Sequence, residues 1–151
     1  MQGKSLEEAV EAVYQHFFYH RSNFQIRDEV KQVLTQLAEH YPLVAITNGN
    51  VELDRVGLGE FFSLALHASA DQPMKPSPVM FEKAQAFLGV APHDILHVGD
   101  HVRKDVWAAI RCGFRAGWYA DNREMDLSRE SVKVLPDVEF ANLKELVTLL
   151  C

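Results

Sequence analysis

The sequence predicts an α/β fold: a mostly parallel sheet with helices packed on it. Three observations carry that prediction. Short apolar runs of strand length alternate with segments of helical period through the second half of the chain. Two of the runs end abruptly in polar clusters. Val44-Ala45-Ile46 meets Thr47-Asn48-Gly49-Asn50, and Ile95-Leu96-His97-Val98 meets Gly99-Asp100-His101. The helical segments, finally, are punctuated by proline and glycine, which start and stop helices.

Taken in order, Ser5 and Glu8 form a capping-box pattern. Leu6, Ala9, Val10, Val13, Tyr14, Phe17 and Phe18 then recur at helical spacing, so this helix is strongly apolar on one face and needs a surface to pack against. Residues 20–25 are a polar connection. A second helix carries Ile26, Val30, Val33, Leu34 and Leu37 and is stopped by Pro42. Residues 43–47 read as a strand, 51–58 as a short helix or turn, and 63–68 as the next strand. Pro76 and Pro78 fit the first turn of a helix with Val79, Met80, Ala84, Phe87 and Leu88, which Gly89 ends. A strand at 94–98, a helix from Val102 to Cys112 closed by Gly113, and a strand from Arg115 to Tyr119 follow. The segment 121–136 reads as a surface loop, Val138 to Phe140 as a last strand, and Leu143 to Leu150 as a final helix.

Composition narrows the function. The length suits one core, and a net charge of −6 argues against a nucleic-acid binder. No apolar run reaches the roughly eighteen residues of a spanning helix, so no membrane partner is expected. Cys112 and Cys151 form no close motif and read as free thiols of a reducing, cytoplasmic compartment.

In open α/β sheets, ligands bind outside the carboxyl ends of the strands. Thr47, Asn48, Lys75 and Asp100 all fall at or just after such ends. Thr47 can donate a hydroxyl hydrogen bond to a phosphoryl oxygen, and the backbone N–H groups of Asn48 and Gly49 can add two more. Lys75 supplies a compact positive charge. Asp100 is a hard oxygen ligand suited to Mg²⁺. Asp105, one turn into the next helix, is placed to orient Lys75 or a metal-bound water. Singly, each has a plain structural reading: Thr47-Asn48-Gly49 as a turn, Asp100 as a helix N-cap, Lys75 as a solvated surface residue. Their joint order favours a phosphate and metal site. His97 and His101 stand four apart, but that spacing shares a face only on a helix, so His97 reads as a packed strand residue and not as a zinc ligand. Trp118 and Tyr119 read as core.

At these residues the chain resembles the haloacid dehalogenase superfamily of phosphohydrolases. Val44-Ala45-Ile46-Thr47-Asn48-Gly49 is similar to its second motif, Lys75-Pro76 to its third, and Gly99-Asp100 with Asp105 to its fourth. The likeness covers roughly residues 24–150 and is nearest to the bacterial branch acting on flavin mononucleotide and related riboflavin-pathway phosphates. It implies a Rossmann-like core over residues 23–151, with residues 1–22 as the last helix of a helical cap. It also implies a phosphomonoester hydrolase working with Mg²⁺ on a small phosphorylated metabolite. Thr47, Lys75 and Asp105 would belong to the catalytic set, with Thr47, Asn48, Gly49 and Lys75 on phosphate and Asp100 on the metal.

The departure is the first motif, Asp-x-Asp on the first strand, whose leading carboxylate forms the phospho-aspartate. No Asp-x-Asp step occurs in the chain. The resemblance therefore implies the last two-thirds of such an enzyme, with Met1 an internal methionine and this chain inactive alone. In the family the first strand lies between those read here at 43–47 and 94–98, so a gap or a substitute strand is expected there, with self-association or a segment swap. Two alternatives stand beside this reading: a catalytically silent phosphate-binding module, and a 2-haloacid dehalogenase.

Overall fold

The computed structural model of the chain describes residues 5–120 and 126–151, and all side chains among them except those of Phe18, Arg21 and Leu127. In chain order the elements are α1 (Leu6–Arg21), α2 (Asp28–His40), β1 (Val44–Thr47), β2 (Leu64–His67), α3 (Val79–Leu88) and β3 (Leu96–Gly99). A π-helical turn (Val102–Trp107) then runs into α4 (Ala108–Arg111), followed by β4 (Arg115–Tyr119), β5 (Val138–Phe140) and α5 (Lys144–Leu150). Single 3₁₀ turns lie at Gly59–Phe61, Pro92–Asp94 and Leu127–Arg129.

The strands form two parallel sheets. One pairs β1 with β2, from Val44 opposite Leu64 to Thr47 opposite His67. The other has the order β3-β4-β5. Among the described residues no strand pairs with both β1 and β3, so the sheet is open at the seam where a gap or a substitute strand was expected. The seam is covered on both faces by helices. Side-chain alternation sorts the layers. Leu96 and Val98 of β3, with Leu43, Val138 and Phe140, pack on Val33 and Leu37 of α2 and Leu146 of α5. On the opposite face α3 straddles both sheets. Met80 and Ala84 pack on Val44, Ile46, Leu64 and Leu66, while Phe81 joins Val102, Val106, Ala116 and Trp118 over β3 and β4.

The first helix begins as its sequence directs: Glu8 N–H donates to Ser5 Oγ at 3.2 Å and Ser5 N–H to Glu8 Oε2 at 2.9 Å. Its apolar stripe lies open, with Leu6 81%, Val13 71% and Phe17 50% exposed. Phe18 of that stripe lies outside the described side chains. The helix joins the rest through Ser22, which is buried and whose Oγ accepts from Glu52 N–H at 3.1 Å.

Three local expectations are corrected. Pro76 and Pro78 do not sit inside the first turn of α3. Ser77 precedes Pro78 and is thereby kept out of the helical region, while its N–H closes a turn onto Met74 O at 3.0 Å, so Pro78 takes the N-cap and the helix starts at Val79. The helix read from Val102 to Cys112 is π-helical over its first six residues. Its N-cap is His101, whose Nδ1 accepts from Lys104 N–H at 3.3 Å, and not Asp100. Residues 121–125 of the surface loop lie outside the described residues.

Candidate active site

The end of β1 holds Lys75 through Ile46 and Asn48, with Thr47 between them. Ile46 O accepts from Lys75 Nζ at 3.1 Å. Thr47 Oγ1 accepts from Gly49 N–H at 3.0 Å, which folds the chain back and leaves the hydroxyl proton to donate elsewhere. Asn48 turns its side-chain amide onto the Lys75 backbone: Lys75 N–H donates to Oδ1 at 2.6 Å and Nδ2 donates to Lys75 O at 2.9 Å. Asn48 thus docks the lysine segment onto β1 as a further strand would. The Lys75-Pro76 peptide is cis.

The end of β3 supplies the counter-charge. Lys75 Nζ meets Asp105 Oδ1 at 2.5 Å, with only 11% and 5% of the two side chains exposed. His97 Nε2 lies 3.0 Å from the same oxygen, and His101 N–H donates to Oδ2 at 3.1 Å. An ionised carboxylate only accepts, so the His97 nitrogen facing it carries the proton. Burial is the largest single influence on Asp105 and pushes its pKa up. The His97 hydrogen bond and the Lys75 ammonium together outweigh burial and hold the carboxyl well below the usual range. Burial is also the largest influence on His97 and holds its imidazole below the ordinary value, against the pull of Asp105. The cluster is therefore an ionised carboxylate, an ammonium and a neutral imidazole.

Gly99 makes the arrangement sterically feasible. A Cβ at that position would lie 2.2 Å from Asp105 Cγ and 2.5 Å from Oδ2, closer than atoms can approach. The Asp105 carboxylate lies against the bare backbone of β3, directly over its carboxyl end. Since Lys75 Nζ touches both Ile46 O and Asp105, the carboxyl ends of β1 and β3 meet at one place.

The haloacid dehalogenase-like hydrolase family matches residues 2–113. The chain belongs to that family. Among curated relatives, 5-amino-6-(5-phospho-D-ribitylamino)uracil phosphatase YigB of Escherichia coli is 36% identical over 98% of this chain and 63% of its own length. Phosphoserine phosphatase of Thermus thermophilus is 32% identical over 86% of this chain and 53% of its own. Among solved structures, a 2-haloacid dehalogenase from Pseudomonas syringae pv. Tomato superimposes with a TM-score of 0.85 at 35% identity, over 98% of this chain and 64% of that one. The chain thus spans under two-thirds of the length of these relatives.

Within this member of the family, Lys75 is bonded to Asn48 and Asp105, and Thr47 precedes Asn48 at the end of β1. Asn48 holds the lysine backbone with its side chain, and the Gly49 N–H is engaged by Thr47 and not presented outward. Asp100 is exposed on the rim at the end of β3, with its carbonyl accepting from Trp118 Nε1 at 3.1 Å. The residues that sequence reasoning left without a role here are His97, Gly99 and Trp118. Period two along β3 was the available signal: it puts His97 and Gly99 on one face, opposite Leu96 and Val98, and that face meets the helix bearing Asp105.

The donor set decides which cation the residues fit. Both Asp105 oxygens are engaged by Lys75, His97 and His101. Asp100 therefore leaves one hard carboxylate at the rim. Among the described residues no cluster of three or more His, Cys, Asp or Glu side chains is placed to hold an ion. A carboxylate such as Asp100 fits Mg²⁺, which accepts one or two carboxylates and keeps its waters. No helix of the described residues is long and apolar enough to cross a membrane.

Proposed function

We propose that this chain is the phosphate- and metal-binding part of a phosphomonoester hydrolase acting on a small phosphorylated metabolite. The observation that carries the reading is the Lys75 ammonium. Two of its three N–H donors are taken by Ile46 O and Asp105, which leaves a third for a phosphoryl oxygen, and Thr47, next to Ile46 in β1, has a hydroxyl proton to donate. Two preorganised donors at a strand end suit the equatorial oxygens of a transferring phosphoryl group. Asp100 would hold Mg²⁺, which supplies charge neutralisation at the phosphate. Asp105 holds Lys75 in place. The free thiols Cys112 and Cys151 fit a reducing cytoplasm.

The covalent step belongs to a carboxylate that this sequence does not carry in an Asp-x-Asp setting. The exposed stripe of α1 supports its reading as the last helix of a substrate-selecting cap. The name of the Escherichia coli relative supports a ribityl phosphate ester as substrate class. The likeness to a 2-haloacid dehalogenase favours a second reading, hydrolysis of a carbon–halogen bond without Mg²⁺; the carboxylate at Asp100 weighs toward phosphate.

Titration of the chain with inorganic phosphate in Mg²⁺, followed by calorimetry and ³¹P line width, tests the proposal. Binding should be weak, and Thr47→Val and Lys75→Met should each abolish it. Phosphate binding unchanged in both variants, or no binding at all, refutes it. Fused behind a strand carrying Asp-x-Asp, the chain should release phosphate from ribityl phosphates and no halide from 2-haloacids; halide release would establish the second reading.

A further inference from the structure

We infer that His97 is a positioning residue: by donating from Nε2 to Asp105 it fixes the carboxylate that aims the Lys75 ammonium. The inference rests on the phosphate-site reading above and concerns how that site is held rigid.

A lysine ammonium is a point charge that rotates freely and pairs with a carboxylate over a wide range of angles. With one donor on Ile46 O and one on Asp105, the direction of the third N–H depends on where the Asp105 oxygen is held. The carboxylate itself must be fixed, and it is held at both oxygens. His101 N–H holds Oδ2 at 3.1 Å and His97 Nε2 holds Oδ1 at 3.0 Å. With both ends pinned, the carboxylate plane is set, and the lone pair left at Oδ1 dictates the approach of Nζ.

His97 is built for this task and not for solvent contact. Its side chain is 10% exposed. The Phe81 ring meets it edge-on, with centroids 4.9 Å apart and planes at 67°, and Phe81 is fully buried. The imidazole thus has its orientation set by packing from α3 and its proton directed at Asp105. An aliphatic residue at this position of β3 would leave Oδ1 with one partner fewer. Gly99, two residues on and on the same face, clears the space that the pinned carboxylate occupies.

The test uses the 151-residue chain with inorganic phosphate and three measurements. In the wild type, ¹⁵N spectra of the histidine rings should show His97 as the Nε2–H tautomer at neutral pH, with that proton protected from exchange; an Nδ1–H tautomer overturns the inference without any variant. In His97→Phe, which keeps an aromatic ring beside Phe81, the Lys75 ammonium protons should exchange faster and phosphate affinity should fall about tenfold, the lower end of what loss of an outer-layer partner commonly costs. His97→Gln, whose side-chain N–H can reach Asp105, should restore most of both. An unchanged Lys75 signal in folded His97→Phe, or Gln behaving like Phe, overturns it. If wild type binds no phosphate, the functional reading fails while the tautomer and Lys75 exchange still decide the role of His97.

Discussion

Replacing Gly99 by alanine should break the charged cluster from the sheet side. The new Cβ would lie 2.2 Å from Asp105 Cγ, 2.4 Å from its Cβ and 2.5 Å from Oδ2. Asp105 cannot slide away, because its N–H is bonded to His101 O at 2.8 Å within the π-helical turn. Side-chain rotation cannot relieve the contact with Asp105 Cβ, so the turn bearing Asp105 must be pushed off β3, taking the carboxylate out of its bonds to Lys75, His97 and His101. Overpacking alone costs about 1–3 kcal/mol, and each hydrogen bond to a charged group about 1.5–3 kcal/mol. These losses are not additive, and the measured cost of breaking a buried ion pair, about 3–5 kcal/mol, is the better guide to the total. A domain of this size holds about 5–15 kcal/mol, so the variant should stay folded with a thin margin. Urea unfolding followed by tryptophan fluorescence measures it, since fully buried Trp118 is anchored to Asp100 O beside the cluster. Gly89→Ala is the comparator: no atom lies within 4 Å of its Cβ, and only its φ of +66° is penalised, by about 1–2 kcal/mol. In an Asp105→Gly background, which removes the three nearest atoms, the extra cost of Gly99→Ala should largely vanish. A loss no greater than that of Gly89→Ala, or one that persists in the double variant, refutes the steric reasoning.

Lys75→Ala leaves a buried carboxylate without its cation and should cost about 3–5 kcal/mol in the same urea assay; a neutral outcome would place Asp105 in water. Acid should destabilise the fold in two stages. Both shifted groups have folded pKa values below their ordinary ones, so the unfolded chain takes up protons first as pH falls. The His97 contribution drains below pH 6.5 and that of Asp105 below the ordinary carboxylate value of 3.8. Thermal melts from pH 8 to 3 should show Tm level above about pH 7 and falling below it, with His97→Phe flattening the limb between pH 7 and 5; a Tm that rises on acidification contradicts the assignment. The chain alone should show no turnover of p-nitrophenyl phosphate with Mg²⁺, and robust turnover abolished by Asp100→Asn would reveal an unrecognised nucleophile. Sedimentation should show association through the open stripe of α1 and the unpaired edges at the seam, whereas a monodisperse monomer with a high, sharp melt would refute it.

Much of the fold was legible because its strands are short apolar runs bounded by turn residues. Arg115–Tyr119 and Val138–Phe140 fall where the pattern puts them. Helix ends marked by glycine were legible too, Gly89 and Gly113 both having positive φ. The π-helical turn was not, because side-chain periodicity over six residues hardly distinguishes a wider turn from an α-helical one. The candidate site reads in the sequence as a set of strand ends carrying Thr47, Asn48, Lys75 and Asp100, with Asp105 one turn into the next helix. Its internal wiring was not legible. Asn48 spends its side chain on a backbone 27 positions away, and His97 is an ordinary core position until the placement of Asp105 is known. Both depend on tertiary contacts that no local pattern encodes.

The seam carries a mechanical consequence. Ladder hydrogen bonds fix the spacing of neighbouring strands within a few tenths of an ångström, but β1 and β3 share no ladder. Their separation is set by what lies across them: Met80 against one sheet, the adjacent Phe81 against the other, and the reach of Lys75 from Ile46 O to Asp105. The aperture of the site is therefore a side-chain dimension. It has the compliance of a packed core and not the stiffness of a sheet, and it can be tuned by volume: trimming Met80 or Phe81 on α3 would shift the two strand ends relative to each other with no change to Thr47, Lys75 or Asp105.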